Sequence, residues 1–311
     1  MKVLIVCSGT SGVLSPFVRD QMDSLAKFGI EFSLFQIRRK GMLGYLLHLK
    51  ALQRKIEQVK PDLIHAHFGL SALLANLQRN VPVVTTFHGS DINDANVFKY
   101  SKWAHKLSAA SIFVEKSMIQ KVKDQDKGNI IPCGVDTSVF YPITKSESAK
   151  NLDINSERIK ILFSSNFDIP VKNYSLAMES CKRVKTMIGK GINIIELKGN
   201  SREQVNLLMN ASDCILLTSF SEGSPQVIKE AMACNCPIVT TDVGDVKWVL
   251  GNTEGCFITS FEPEDVAEKI KKALDFRQKT NGRDRIFELG LDSITVAGKI
   301  IEVYKKVLKI V

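Results

Sequence analysis

Ser219-Phe-Ser-Glu-Gly-Ser-Pro-Gln-Val-Ile-Lys-Glu-Ala-Met-Ala-Cys-Asn-Cys-Pro-Ile-Val239 is the stretch on which the reading of this chain turns. The apolar run Asp213-Cys-Ile-Leu-Leu-Thr218 just before it has the length of a short buried strand. Ser224 and Pro225 are suited to open a helix, Ser as the N-cap and Pro at the first helical position. Gly223 leaves room for a ligand beside that helix start, where the backbone dipole concentrates about half a positive charge and favours phosphate. Glu222 precedes the helix, and Glu230 is expected about two turns inside it, with seven residues between the two acids. One acid is thereby placed to face a sugar at the loop and the other to hold a ribose. Spacing alone leaves an ordinary reading open, in which Glu222 is a turn acid and Glu230 a solvated helical residue.

Outward from this stretch, short apolar runs alternate with helical patterns, as in βαβ units with parallel sheets. In the first half the expected strands are Lys2–Cys7, Ile30–Ile37, Asp62–Ala66, Val81–Phe87, Ala110–Val114 and Asn129–Ile131. The polar segment Thr144–Glu157 reads as a linker. The alternation restarts with Ile159–Ser164, Ile192–Leu197, Cys214–Thr218, Pro237–Thr241 and Gly255–Ile258. This predicts an α/β chain of two doubly wound, Rossmann-like domains, with ligand at the carboxyl ends of the strands in the cleft between them. The domains are set at 1–150 and 151–293. The last helix, roughly Ile294–Lys309, puts Val296, Ile300, Val303, Tyr304 and Val307 on one stripe.

Size and composition agree with that plan. The chain's 311 residues suffice for two ordinary domains, and 44% apolar with 24% charged residues excludes disorder. The apolar start is too short for a secretion signal, and no run of about eighteen apolar residues marks a membrane span. Seven scattered cysteines predict reduced thiols and a cytoplasmic location. Cys234 and Cys236 match no common zinc spacing and read as core residues. The net charge of +9 is uneven: residues 1–150 hold 20 Lys and Arg against 12 Asp and Glu. A basic first half predicts an anionic partner there. No nucleic-acid motif accompanies the charge, so no nucleic acid is expected. A membrane surface or a lipid-diphosphate acceptor fits better. Arg38-Arg-Lys40 leads into a helix with Leu49, Leu52, Ile56 and Val59 on one face, offering a peripheral contact with anionic lipid on the inner face of the membrane.

Further constellations bear on chemistry. Thr85-Thr-Phe-His-Gly-Ser-Asp91 sits where a strand ends, with His88 at the edge where sites in such sheets concentrate and Asp91 expected to order the loop. Leu63-Ile-His-Ala-His67 offers two histidines that are expected on opposite faces and, lacking a third ligand, as packing groups. Ser8-Gly-Thr-Ser-Gly12 follows the first strand, where Gly9 and Gly12 let backbone amides approach a phosphate. Asp124-Gln-Asp126 lies in a charged run and follows no apolar strand, so no catalytic metal is expected.

The string from Ser219 to Val239 closely resembles the donor-site motif of retaining GT-B glycosyltransferases of family four. Thr85–Asp91 resembles the family's first-domain motif, and Ile131-Pro-Cys-Gly-Val-Asp136 through Phe140-Tyr-Pro142 its interdomain motif. The resemblance implies a GT-B fold whose last helix, 294–311, returns to the first, acceptor-binding domain, while the second binds a nucleotide-sugar donor. It assigns the ribose to Glu230, the transferred sugar or its phosphate to Glu222, the transferred sugar to His88 and the diphosphate to Lys172, beside the helix-start loop Gly223, Ser224, Pro225 and Gln226 whose amides also favour phosphate. It also raises Gly9 and Gly12 as donor-side positions.

Two departures from the family stand out. Asn235 replaces a frequent Gly, a mild change because Asn tolerates the left-handed helix cap. Asn166 stands where an arginine partner of Lys172 is usual, with Arg202 as a loose substitute. The implied activity is retaining transfer of a hexose-type sugar to a saccharide or lipid-linked acceptor, without a cofactor. Such a step would serve cell-surface polysaccharide or glycolipid synthesis. The alternatives are a GT-B-fold epimerase or phosphorylase and a non-catalytic carbohydrate-binding subunit.

Overall fold

Every expected apolar run becomes a strand, with ends shifted by at most two residues. The computed structural model describes residues 1–9, 14–122, 126–152 and 158–310. In chain order the first strands are β1 Lys2–Ser8, β2 Glu31–Ile37, β3 Leu63–His67, β4 Val83–Phe87, β5 Ala110–Phe113 and β6 Gly128–Ile130. The helices among them are α1 Pro16–Ala26, α2 Gly41–Leu46, α3 Leu49–Val59, α4 Gly69–Asn76, α5 Ser90–Asn93, α6 Ala95–Leu107 and α7 Lys116–Lys121. There follow α8 Lys145–Asn151, β7 Ile159–Phe163, α9 Tyr174–Ile188, β8 Ile192–Glu196, α10 Arg202–Ala211, β9 Cys214–Leu217 and α11 Gln226–Ala233. The chain closes with β10 Ile238–Thr241, α12 Val246–Leu250, β11 Cys256–Thr259, α13 Pro263–Phe276, α14 Gly282–Glu288 and α15 Ser293–Leu308.

Two compact units result. The first is Met1–Gly134 with Ser293–Val311, and the second is Val135–Asp292. The first holds a parallel sheet of order β2-β1-β3-β4-β5-β6. One face is covered by α2 to α7 and the other by α1 and α15. The second holds the parallel order β11-β10-β9-β7-β8, with α10, α11, α12 and α14 on one face and α9 and α13 on the other. Coverage of both faces explains why the strands are continuous apolar runs and not alternating ones. Val3 to Val6, for instance, are fully buried, and each such side chain contributes about 1.5–3 kcal/mol relative to exposure. The order reverses between β1 and β3 in one sheet and between β7 and β9 in the other.

The boundary expected at residue 150 moves to 134. Val135 and Phe140 are fully buried in the second unit's core. Arg283 donates to the carbonyls of Thr137 and Phe140, and Asn206 and Asn210 of α10 accept from the amides of Tyr141 and Ile143. The expected linker is partly α8, whose N-cap Thr144 accepts from the Glu147 amide and whose Ser148 is buried; residues 153–157 lie outside the described ones. The final helix places Val296, Ile300, Val303 and Tyr304 in the first unit's core.

Candidate active site

In the second unit the switch point gathers the residues singled out in the sequence. After β7 a single 3-10 turn, Pro170–Lys172, ends in Asn173 at φ +53°. Thr218, just past β9, donates its hydroxyl to the Lys172 and Asn173 carbonyls at 3.0 and 2.9 Å, and the Phe220 amide donates to Val171. These bonds fix where the Lys172 side chain starts. Its ammonium reaches Glu222 Oε1 at 2.6 Å, and Ser219 Oγ donates to the same oxygen at 2.7 Å. Lys172 and Glu222, assigned separate tasks by the sequence, are thus one ion pair, both largely covered.

The start of α11 differs from expectation. The helix runs from Gln226, with Pro225 as its cap and no side-chain cap bond. Ser224 is not the N-cap. Its hydroxyl donates to Asp245 Oδ2 at 2.5 Å and accepts from the ammonium of Lys229 at 2.6 Å. Lys229 is fully buried and Asp245 nearly so. A lysine in a helix reads from sequence as a solvated charge, so neither residue was singled out. The signal was available in the pattern, since Lys229 lies between Ile228 and Glu230 on a helix whose residues 228–233 are all buried. Gly244, at φ +60°, lies so close that a β-carbon there would overlap the Gly223 carbonyl, and the Asp245 amide donates to that carbonyl at 3.2 Å. The loop after β10 therefore clamps the Glu222–Gly223 turn from below.

Glu230 is 8% exposed, which removes the solvated-helix reading. Because α11 starts at Gln226, it lies little more than one turn in, not two. Arg202, at the start of α10, reaches Glu230 Oε1 at 3.4 Å and lies over the Phe140 ring at 4.7 Å. The suggested substitute for the missing arginine is thus at the carboxylate assigned to ribose. Asn166 is half-buried in the loop after β7 and accepts through its carbonyl from the Ile169 amide. Asn235 adopts φ +54°, the left-handed cap expected of it.

In the first unit the corresponding edge is built from imidazoles. Asp91, buried, accepts from the amides of His88 and Gly89 at 3.0 Å each and from Gly69 at 3.1 Å, which orders the loop as expected. Burial outweighs these bonds and raises its carboxyl to about 6. His65 and His67 do not point to opposite faces: residues two apart on a strand share a face, and their rings stack at 4.5 Å. His65 is held by Tyr304 at 2.5 Å and Thr86 at 2.7 Å. His67 Nδ1 lies 3.0 Å from His88 Nε2, so one nitrogen carries the proton and the other accepts it. Burial lowers His65 well below its ordinary value and His67 to about 3, so both are neutral at pH 7. Half-buried His88 is also packed by Phe17 and by Phe68, the latter at φ +70° and ψ 149°, a conformation costly for a bulky residue.

Gly9 sits beside β1 with its amide donated to the Ile37 carbonyl, and a β-carbon would press on Gln36. Its lack of a side chain is therefore needed for packing, and that amide is already engaged. Gly12 lies outside the described residues, as do Asp124 and Gln125. Among the described residues no cluster of three His, Cys, Asp or Glu could hold a metal ion. No helix among them is long and apolar enough to cross a membrane. The apolar stripe of α3 is not free for lipid, because Leu52 and Ile56 are buried in the core.

Comparison with known proteins agrees with this arrangement. Residues 1–139 match the family described as Glycosyltransferase Family 4, and residues 188–285 match Glycosyl transferases group 1. The fold is that of sucrose-phosphate synthase from Thermosynechococcus elongatus, at a TM-score of 0.82 and 15% identity over 99% of both chains. Anabaena Alr3699/HepE in complex with UDP superposes at a TM-score of 0.75 and 16% identity, over 98% of this chain and all of that one. These neighbours define the class as the GT-B fold, two Rossmann-like α/β units. The chain belongs to the family four, or group 1, glycosyltransferases. Among sequence relatives, the putative teichuronic acid biosynthesis glycosyltransferase TuaC of Bacillus subtilis is 29% identical over 72% of this chain, which spans 64% of that protein's length. The UDP-Gal:alpha-D-GlcNAc-diphosphoundecaprenol alpha-1,3-galactosyltransferase of Escherichia coli is 23% identical over 86% of this chain and 81% of its own.

Proposed function

We propose that this protein is a cytoplasmic, retaining glycosyltransferase that moves a sugar from a nucleoside diphosphate to the hydroxyl of a saccharide or lipid-linked acceptor. The observation that carries the reading is the convergence of Lys172, Glu222, the Gly223–Gln226 turn and Glu230 at the switch point of the second sheet. The names of the relatives support a role in cell-surface polysaccharide or glycolipid synthesis, and the UDP-bound neighbour supports a nucleotide donor.

In this reading the difficult part is charge developing on the leaving diphosphate. Lys172 supplies a positive group, and the amides at the start of α11 supply donors that need no reorganisation. Glu230 holds the ribose hydroxyls, with Arg202 fixing its carboxylate. Glu222 orients the transferred sugar, His88 of the first unit is a separate candidate sugar contact, and the acceptor attacks from the face the diphosphate leaves. Pairing with Lys172 aims the Glu222 side chain, so donor phosphate and Glu222 share one cation. No metal enters this scheme.

Glu230→Ala is expected to weaken nucleoside diphosphate binding at least tenfold by calorimetry, about 1.4 kcal/mol, while Glu222→Ala mainly lowers turnover. Unchanged nucleotide affinity in the Glu230 variant would refute the ribose assignment. Release of nucleoside diphosphate only when an acceptor is supplied separates transfer from epimerisation and from simple carbohydrate binding.

A further inference from the structure

Helix α6 carries no carboxylate along Ala95–Leu107. It places Lys99, Lys102, Trp103 and Lys106 at spacings of three, four and seven, which puts all four on one side. All four are exposed, Trp103 by 59%, and they line a shallow depression of about 310 Å³. The Lys106 ammonium lies 5.7 Å from the Trp103 ring centre. The opposite side, with Ser101, Ala104 and His105, is buried, so the helix cannot turn this stripe inward. Helix α2 packs on α4 as α6 does, and Leu43 on it and Leu47 at its C-terminal cap are exposed by 79% and 67%, shortly after the exposed Arg38-Arg39-Lys40.

We propose that the α6 stripe and the α2 leucines form a docking surface for an anionic lipid bilayer. An indole ring with an apolar body and one N–H donor suits the headgroup level, and lysines reach outward from the same depth to lipid phosphates. Basic residues at such a surface are drawn to it by its negative potential. A nucleic acid would also meet the lysines, but it gives the exposed leucines nothing to bury against. The surface is separate from the transfer site proposed above and stands or falls without it.

The chain has two tryptophans, so Trp248→Phe leaves Trp103 as the only reporter. The full chain carrying that change is mixed with phosphatidylcholine vesicles, with and without phosphatidylglycerol. Sedimentation with the anionic vesicles alone, a blue shift of Trp103 emission and loss of both in high salt are expected. Lys99→Glu, Lys102→Glu and Lys106→Glu together should weaken binding by at least roughly a hundredfold, taking a tenfold loss per about 1.4 kcal/mol and about 1 kcal/mol per lysine. Leu43→Ser with Leu47→Ser should weaken it several-fold with charge unchanged, and an unaltered melting temperature in each variant certifies the fold. Equal recovery with neutral vesicles, an unshifted Trp103, a shift produced by free glycerol phosphate at matched phosphate concentration, or tighter binding to single-stranded RNA would each overturn the proposal.

Discussion

The two sheets reverse their strand order in the same way, yet the edges beside the reversals are furnished with different chemistry. Beside β7 and β9 stand charges in pairs: Lys172 with Glu222, Arg202 with Glu230, and buried Lys229 near Ser224 and Asp245. Beside β3 and β4 stand the stacked rings of His65, His67 and His88, the first two kept uncharged by burial, and one buried carboxylate held by backbone amides. Under the proposed function the edge beside β7 and β9 would meet a dianion, which calls for cations and donors fixed in advance, and fixing them requires counter-charges. The edge beside β3 and β4 would meet a neutral sugar, which calls for directional hydrogen bonds, and the buried, uncharged His65 and His67 support these with less desolvation. The same scaffold can thus divide recognition between an electrostatic edge and a dipolar one.

The largest effect that should break this contrast is at Lys229. Replacing it with Met removes the ammonium and leaves the buried Ser224–Asp245 bond without that neighbour, which should cost the second unit about 3–5 kcal/mol. Urea unfolding with and without Asp245→Asn in the same chain gives a cycle. The second change should restore part of the loss, since an amide tolerates an apolar neighbour better than a carboxylate does. A loss below about 1 kcal/mol would mean that the charged run is incidental.

Lys229 also shows where reading a sequence stops. The strands were legible because two-sided burial writes them as apolar runs, and Glu222, Glu230, Lys172 and His88 because short motifs bracket strand ends. What was not legible depends on three-dimensional neighbours. Ser224 caps a helix by every local rule, but Asp245 from the next loop takes its hydroxyl. Residues 135–150 read as the end of the first domain, with a linker from Thr144, but the carbonyls of Thr137 and Phe140 are held by Arg283, more than a hundred positions away. His65 and His67 were placed wrongly by a local argument, where the strand period alone sufficed.

The first unit's imidazoles give a sharper test through pH. His65 and His67 take up protons in the unfolded chain below about 6.5 but not in the folded one, so each removes stability as pH falls. Asp91 has the opposite sign. With its folded value raised to about 6, it binds a proton in the native state before the unfolded chain does and adds stability as pH falls from there towards 3.8. Two losses against one gain leave a net loss of stability from these three groups as pH falls below about 6. His67→Gln is costly at pH 7, because it disturbs the stack on His88, and that cost should shrink by about 1.4 kcal/mol for each unit below 6.5. A constant gap between variant and parent across pH 7 to 5.5, measured by denaturant unfolding, would show that His67 is not held neutral.

The smallest effect sharpens the electrostatic side. Lys172 is shared with Glu222, and Arg202 is engaged at Glu230, so the loop after β7 presents Asn166 where a second cation would serve a diphosphate. Asn166→Arg adds a charge-assisted donor to a half-buried loop whose neighbours Ser165 and Asn166 hold the backbone through their carbonyls, bonds the substitution leaves intact. Such a donor contributes about 1.5–3 kcal/mol when well placed. Part is lost in ordering the long side chain, so a gain of about tenfold in nucleoside diphosphate affinity is expected, with binding of the uncharged nucleoside unchanged. The nucleoside arm decides the meaning: equal gains for both ligands would show general tightening of the pocket, and no gain for either would place the diphosphate away from the β7 loop and leave Lys172 without its assigned task.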